Sequence, residues 1–187
     1  MQRRRVYPHL ILAVMTVLAI GAVILGVAMS PNGTDLAVHN AAGETLRAGT
    51  VSGRYTTSTL HGESIEFVYR APDTVTAHFS GPAKGVNRAP QTTKGPTAAN
   101  ALSPVKELLT VTGFTGHGSV YLASETLKNL VTPAVRSSVT GTLRAVATVA
   151  TGFVVRVQEH ISATQGGRKI NQLLDYRLTR VDGWPRS

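Results

Sequence analysis

Residues 142–181 read TLRAVATVATGFVVRVQEHISATQGGRKINQLLDYRLTRV, and this stretch decides the fold. Apolar and polar side chains alternate within it in three long runs, Thr142–Ala150, Phe153–Ile161 and Lys169–Val181. Such alternation is typical of strands with one buried and one solvent-facing side. Gly166-Gly167 lies at the second break and tolerates the positive φ that a two-residue hairpin needs. We therefore expect three antiparallel strands joined by short connections.

The chain before this stretch predicts a second antiparallel meander. The runs Thr50–Thr59, Glu63–Tyr69 and Thr74–Ser80 show the same period-two pattern. Ala71-Pro72-Asp73 separates the last two runs and has the composition of a turn. A domain built from these segments is α+β and β-dominated, with a curved antiparallel sheet and a few short helices.

Short helices are predicted at three places. Thr34 or Asp35 provides an N-cap for a helix that runs towards Leu46. Ser103-Pro104 combines a Ser N-cap with proline at the first helical position, and so opens a second helix. The segment Ser124–Leu130 begins with another capping residue and predicts a helical turn.

Residues 81–100 predict a long loop. They contain three prolines, three glycines, two lysines and one arginine, without periodicity. A connection of this length is more often functional than a mere link. Beyond residue 30 the chain has 16 Lys and Arg against 10 Asp and Glu. Lys84, Arg88 and Lys94 are therefore candidates for contact with anionic lipid head groups or wall polymers; the alternative is a solubilising surface without a dedicated partner.

The N-terminal segment predicts a membrane span. Leu10–Met29 is twenty residues without a charge, and eleven of them are Leu, Ile or Val. At about 1.5 Å per residue a helix of this length crosses the roughly 30 Å hydrocarbon core of a bilayer. Arg3, Arg4 and Arg5 precede it, and the positive-inside rule places this end in the cytoplasm. The alternative is a cleaved secretory signal with Gly26-Val27-Ala28 at the cleavage site.

The expected organisation follows from this span. Residues 1–9 form a basic cytoplasmic N-terminus, 10–29 a transmembrane signal anchor, 30–34 a linker and 35–187 an exported β-rich domain. We expect a single-pass protein of the cell membrane with its globular domain outside the cytoplasm.

Composition and spacing argue against several kinds of active site. The chain has no cysteine, which excludes a disulfide framework, a thiol nucleophile and a lipid-modified N-terminal cysteine. The six histidines are scattered, and Glu159-His160 point to opposite faces of a strand, so they cannot share one metal ion. No Gly-x-Ser-x-Gly elbow or Walker spacing is present. The basic residues lack interleaved aromatics, which disfavours nucleic-acid binding. We expect no enzymatic activity, no metal and no cofactor.

Several short motifs together resemble a known family. They are Gly53-Arg54-Tyr55, Glu66–Asp73 (EFVYRAPD), Leu108-Leu109, Val120-Tyr121, Gly152–Val157, Asp175–Leu178 and Trp184-Pro185. In this order, over about residues 35–187, they are similar to the actinobacterial exported lipoproteins of the LppX/LprG group, whose fold resembles that of the LolA lipoprotein carriers.

The resemblance implies a half-barrel sheet wrapped around helices, which often encloses an apolar cavity for acyl chains. The chain departs from the family because it lacks the lipobox cysteine. Anchoring would then depend on Leu10–Met29, and a tethered protein could not shuttle across the periplasm. A second fold, the NTF2-like membrane-associated domain, is suggested by the ending Arg180–Trp184, but that fold requires long helices before its sheet.

Two functions follow as hypotheses. The first is a membrane-anchored envelope protein that binds a lipid or other apolar ligand in the hollow of its sheet. Its lining candidates alternate on one strand face: Ile65, Phe67, Tyr69, Val75, Phe79, Phe153 and Val155. The alternative for these residues is an ordinary core. The second is a non-enzymatic interaction or structural subunit of an envelope complex, which would engage a protein partner through residues 81–100 or an exposed sheet edge.

Overall fold

A computed structural model describes residues 32–58, 64–80, 89–132, 135–165 and 167–184, without the side chains of 125, 127–132, 135–139 and 165. The predicted span Leu10–Met29 and most of its linker lie outside these residues. Within the described part of the chain, no helix has the length and apolar character needed to cross a bilayer.

The described chain forms an open antiparallel sheet of nine strands, and this confirms the predicted β-dominated class. The strands are β1 (Thr50–Thr57), β2 (Ser64–Arg70), β3 (Thr74–Ser80), β4 (Gln91–Lys94), β5 (Thr115–His117), β6 (Val120–Thr132), β7 (Val135–Ala150), β8 (Phe153–Gln165) and β9 (Arg168–Val181). Their spatial order is β4-β3-β2-β1-β9-β8-β7-β6-β5.

Two meanders make up this sheet and join at one pair of strands. Strands β1–β4 form the first meander and β5–β9 the second. They meet where β1 pairs antiparallel with β9, from Val51 opposite Val181 to Thr57 opposite Leu174. The hairpin between β7 and β8 turns through Thr151 and Gly152, whose φ values of 51° and 82° match the type I′ turn favoured in two-residue hairpins.

The helices cover one face of the sheet, which we call the inner face; the opposite side is the outer face. Helix α1 (Gly33–Arg47) packs against β7 and β8, a 3₁₀ helix (Pro96–Leu102) against β2–β4, and α2 (Ser103–Glu107) against β8. The first helix begins at Asn32, whose side chain accepts a hydrogen bond from the backbone N–H of Asp35 at 2.8 Å. The N-cap is therefore Asn32 rather than Thr34 or Asp35.

The core lies between the helices and the inner face because alternate strand residues point to this side. Tyr55, Phe67 and Tyr176 are buried there, and the rings of Phe67 and Tyr176 stack with their centroids 5.5 Å apart. Gly53 makes room for Phe67, since a Cβ at residue 53 would lie 2.9 Å from that ring and 2.6 Å from a carbonyl oxygen of β9. Thr45 joins α1 to the sheet: its Oγ1 accepts from the N–H of Val154 at 3.0 Å.

Two further local predictions were wrong. Ser124–Leu130 is part of the long strand β6 rather than a helical turn, because it pairs with β7. The segment 91–102 is ordered as β4 and the 3₁₀ helix rather than as loop. Strand β4 has no alternating pattern to reveal it, since all four of its residues are exposed.

Candidate binding surface

The residues predicted to line a hollow lie in the core. Ile65, Phe67 and Tyr69 on β2 and Val75 and Phe79 on β3 are all buried on the inner face, in one cluster. Phe153 is partly buried and packs against that cluster. The structure therefore brings six of the seven candidates together, and it places helices over the sheet face that carries them.

Val155 was assigned to the wrong face. On β7, Thr148 pairs with Arg156, and the next residue, Val149, pairs with Val154. Val155 is therefore left without a partner on β7 and is the extra residue of a β-bulge. A bulge reverses the alternation of the strand that carries it. Val154 and Val157 are consequently the buried residues of this segment, whereas Val155 is half-buried and outside the core cluster.

The predicted basic loop is only partly described. Lys94 is the last residue of β4 and is exposed at the edge of the sheet. Lys84 and Arg88 lie outside the described residues. Their role as a contact surface stays a prediction.

The outer face is strongly basic. Among the described strand residues, the side chains that point to this face include eight bases and only two acids. The bases are Arg54, Arg70, Lys94, Arg144, Arg156, Lys169, Arg177 and Arg180, and the acids are Glu66 and Asp175. Strand alternation causes this segregation, since the inner positions are taken by core residues.

Three arginines on neighbouring strands lie side by side at the centre of this face. Arg54 on β1 is directly opposite Arg177 on β9, which is directly opposite Arg156 on β8. We call these three residues the arginine row. Asp175 binds two of them: it accepts from Arg156 Nε at 2.7 Å and Nη2 at 3.0 Å, and from Arg177 Nε at 3.1 Å. Arg54 has no ion pair among the described residues.

The neighbouring arginines lower the pKa of Asp175. Burial alone would raise the pKa of its carboxyl group, but the hydrogen bonds and positive charges of Arg156 and Arg177 hold the pKa below its usual value. Asp175 is thus ionised, and this single carboxylate binds two of the three guanidinium groups. Glu66 on β2 lies directly opposite Arg54, so two carboxylates flank three guanidinium groups and the row keeps a surplus of one positive charge.

An open groove of about 670 Å³ runs over the outer face of β5–β9. We call it the outer groove. Leu122 and Leu173 are 50% and 51% exposed beside it, although large apolar side chains usually avoid water. Arg144 and His160 also line it, and the His160 Nε2 lies 2.6 Å from Asn171 Oδ1. The groove therefore offers apolar and basic groups together, which suits an amphiphile with an anionic head.

The chain enters the domain next to this groove. Asn32 Nδ2 donates to the carbonyl of Phe114 at 3.5 Å, and the N–H of Phe114 donates to Asp35 Oδ1 at 2.7 Å. Burial alone would raise the pKa of Asp35, but this bond and others from backbone N–H groups lower it. Thr115, the residue after Phe114, lines the outer groove. The segment that follows the predicted anchor is thus fixed at the β5 edge.

A buried carboxyl pair lies on the other side of the sheet. Glu107, at the end of α2, and Glu159, on the inner face of β8, are 6% and 7% exposed. Burial raises the pKa of both, and the adjacent Glu159 raises that of Glu107 further. Glu107 is therefore protonated and donates a hydrogen bond to Glu159, while its Oε1 has no described partner. This pair ties α2 to the sheet, and Glu159 is also one of the residues that line the outer groove.

Sequence reasoning identified neither the arginine row nor the carboxyl pair. Alternation alone places Arg54, Arg156 and Arg177 on the strand face opposite to that of their buried neighbours in the sequence. Only the pairing of β1 with β9 puts them in one row. Glu159 is buried on the inner face, whereas His160 lies within hydrogen-bond distance of Asn171 on the outer face, as the prediction of opposite directions requires. Among the described residues, no group of three or more His, Asp or Glu is placed to hold a metal ion.

Comparisons with known proteins give little further information. No protein-family model matches the chain, and no curated protein matches it. Seven chains of solved structures match. One is the crystal structure of a "putative outer membrane protein" from Bacteroides fragilis NCTC 9343, with a TM-score of 0.29 and 12% identity over 78% of this chain. The chain spans about half of that protein, 53% of its length. A likeness at this level supports no assignment.

Proposed function

We propose that this protein is a membrane-tethered, non-enzymatic envelope protein that binds an anionic lipid or a similar amphiphile in the outer groove. The observation that carries the proposal is the pair of half-exposed leucines, Leu122 and Leu173, beside Arg144 in a groove of about 670 Å³. An acyl chain would cover the leucines, and the head group would accept hydrogen bonds from the guanidinium group.

The groove supports a different ligand position from the one that the family resemblance implies. A lipoprotein of the LppX/LprG type would hold acyl chains inside its half-barrel. Here the corresponding residues pack with each other and face the helical layer, whereas the large described groove is on the outer face. We therefore place the ligand in the outer groove. We also propose that the fold is related to that of the LolA carriers.

Export and tethering are supported by the sequence of residues 1–31. The uncharged span Leu10–Met29 follows three arginines, which favours a cytoplasmic N-terminus and an external domain. Protease added to intact spheroplasts is expected to degrade the domain. Survival of residues 32–184 under this treatment would contradict export.

Ligand binding is tested with the full-length protein purified in a mild detergent. Native mass spectrometry is expected to detect a co-purified lipid. The double variant Leu122→Asn/Leu173→Asn should lose this lipid, because polar side chains replace the apolar walls of the groove. Leu36→Asn is the matched control, since Leu36 is equally exposed, at 53%, but belongs to α1. An unchanged lipid content in the double variant would overturn the proposed site.

A second candidate function rests on the edge of the sheet. Strand β5 covers only Val120–Leu122 of β6, so the rest of β6 up to Thr132 has no second strand neighbour among the described residues. A long open edge can accept a strand from another protein. This feature favours the interaction subunit as the alternative. Cross-linking from cysteines introduced along β6 would detect such a partner in intact cells, and the absence of any adduct would exclude it.

A further inference from the structure

We propose that the outer face docks on the anionic lipid surface of the membrane that holds the predicted anchor, with the arginine row binding lipid phosphates. This interaction needs only head-group charge, so it is independent of whether the outer groove retains a ligand. It adds an orientation to the proposed function: the outer groove would then open towards the bilayer.

The distribution of charge is the first support. Among the side chains that the structure describes, eight of the 11 bases lie on the outer face, but only two of the eight acids. Seven of these bases are exposed, and Arg156 is half-buried. A face with this surplus attracts an anionic surface and is repelled by a cationic one. The charge favours an anionic surface, and the predicted anchor makes the membrane the nearest one.

The geometry of the arginine row is the second support. Like charges directly opposite each other on neighbouring strands destabilise a sheet. The row nevertheless places Arg177 between two other arginines. Asp175 binds two members of the row, and Glu66 lies directly opposite the third, Arg54. Guanidinium groups bind phosphate oxygens through two parallel hydrogen bonds. Lipid phosphates would therefore relieve the repulsion and occupy the unpaired donors of Arg54.

The position of the tether is the third support. Three residue steps separate Met29, the end of the predicted span, from Asn32. At up to about 3.6 Å per residue these steps reach at most about 11 Å. Asn32 is held at the β5 edge beside the outer groove. The β5 edge would thus stay within about 11 Å of the end of the span, and turning about this edge would bring the outer face against the bilayer.

The experiment uses the full-length protein in lipid nanodiscs. Because the chain has no cysteine, one introduced cysteine is the only site that a thiol-reactive fluorophore can label. Thr142→Cys places it on the outer face, and Ala99→Cys places it on the helical side. Nitroxide-labelled head groups quench a fluorophore that touches the membrane. We expect strong quenching for Thr142→Cys in discs that contain phosphatidylglycerol, weak quenching in pure phosphatidylcholine, and weak quenching for Ala99→Cys in both.

Two double variants separate docking on this face from a general charge effect. Arg54→Gln/Arg177→Gln should lower the docking equilibrium constant about 25-fold, roughly fivefold for each base near the surface. The matched control Arg47→Gln/Lys106→Gln removes two exposed bases on the helical side and should leave it unchanged. Raising the ionic strength to about 0.5 M should also weaken docking, because screening shortens the range of the interaction.

The outcomes distinguish this inference from the proposed function. Equal quenching with and without phosphatidylglycerol, or equal losses in the two double variants, would overturn docking and leave the face to an anionic polymer or a protein. If docking fails in this way but native mass spectrometry still detects a bound lipid, the outer groove remains supported as the ligand site. Docking without a co-purified lipid would support this inference and refute the groove as the ligand site.

Discussion

The buried pair of Glu107 and Glu159 makes the stability of the domain depend on pH near neutrality. The pKa of both groups is raised in the folded protein above the ordinary value of 4.5. The strand neighbours of Glu159, Ala145 and Leu174, carry no charge that would offset this. The folded state therefore binds more protons than the unfolded chain above about pH 4.5. Its stability is complete below that pH and is lost as the pH rises towards the folded-state pKa values.

The magnitude follows from the number of protons retained. One proton held by the folded pair and released by the unfolded chain changes the free energy of unfolding by about 1.4 kcal/mol per pH unit. Between pH 5 and pH 8 the loss reaches about 4 kcal/mol, a large share of the 5–15 kcal/mol typical of a domain. The double variant Glu107→Gln/Glu159→Gln carries no titratable proton at this position and should show no such slope.

The assay is chemical unfolding of the detergent-solubilised full chain at a series of pH values. Fluorescence of Trp184, the single tryptophan, reports unfolding because this residue packs against the core. Glu66→Gln is the control, since Glu66 is exposed on the outer face, and it should leave the slope unchanged. A wild-type stability that stays constant from pH 5 to pH 8 would refute the reasoning. The same slope in the double variant would refute it too.

Three further substitutions test the packing that presents the outer face, each by its free energy of unfolding. Thr45→Val leaves the buried N–H of Val154 without its acceptor, and should cost about 1–3 kcal/mol. Asp35→Ala removes the acceptor of the Phe114 N–H and should cost a similar amount, with the largest loss well above the pKa of Asp35, where its carboxylate is ionised. Gly53→Ala places a Cβ 2.6 Å from a carbonyl oxygen of β9, and should destabilise the junction of the two meanders by about 1–3 kcal/mol. A loss below 0.5 kcal/mol, the usual range of surface substitutions, would contradict any of the three.

Much of the strand content could be predicted from the sequence, because burial on one face leaves a period-two pattern. The runs at 50–59, 63–69 and 74–80 correspond to β1–β3, and the stretch 142–181 contains the end of β7 and all of β8 and β9. Ser124–Leu130 misled the prediction since Leu127 and Leu130 are three residues apart, a helical spacing. Pairing with β7 over the whole length of β6 overrides that local preference.

The bulge at Val155 shows a different limit of the sequence. Phe153, Val154, Val155 and Val157 are all apolar, so either alternation fits the pattern. The choice is made by pairing with β7, which skips one residue and turns Val154 inward, where Thr45 accepts its N–H. Thr45 lies on α1, more than a hundred positions away in the chain. Its hydrogen bond goes to the valine that the strand register turns inward.

The candidate site could not be predicted, because it is a product of register between distant segments. Arg54 is about a hundred residues from Arg156 and Arg177, and nothing in the sequence near any of them marks a site. They meet only because β1 pairs with β9 and closes two local meanders into one sheet. The same pairing builds the core from Tyr55 and Tyr176 on the inner face. A shift of β1 by one residue would turn Tyr55 outward and Arg54 into the core, at a cost of burying an unpaired charge. The core that stabilises the fold therefore also fixes the arginine row on the outer face.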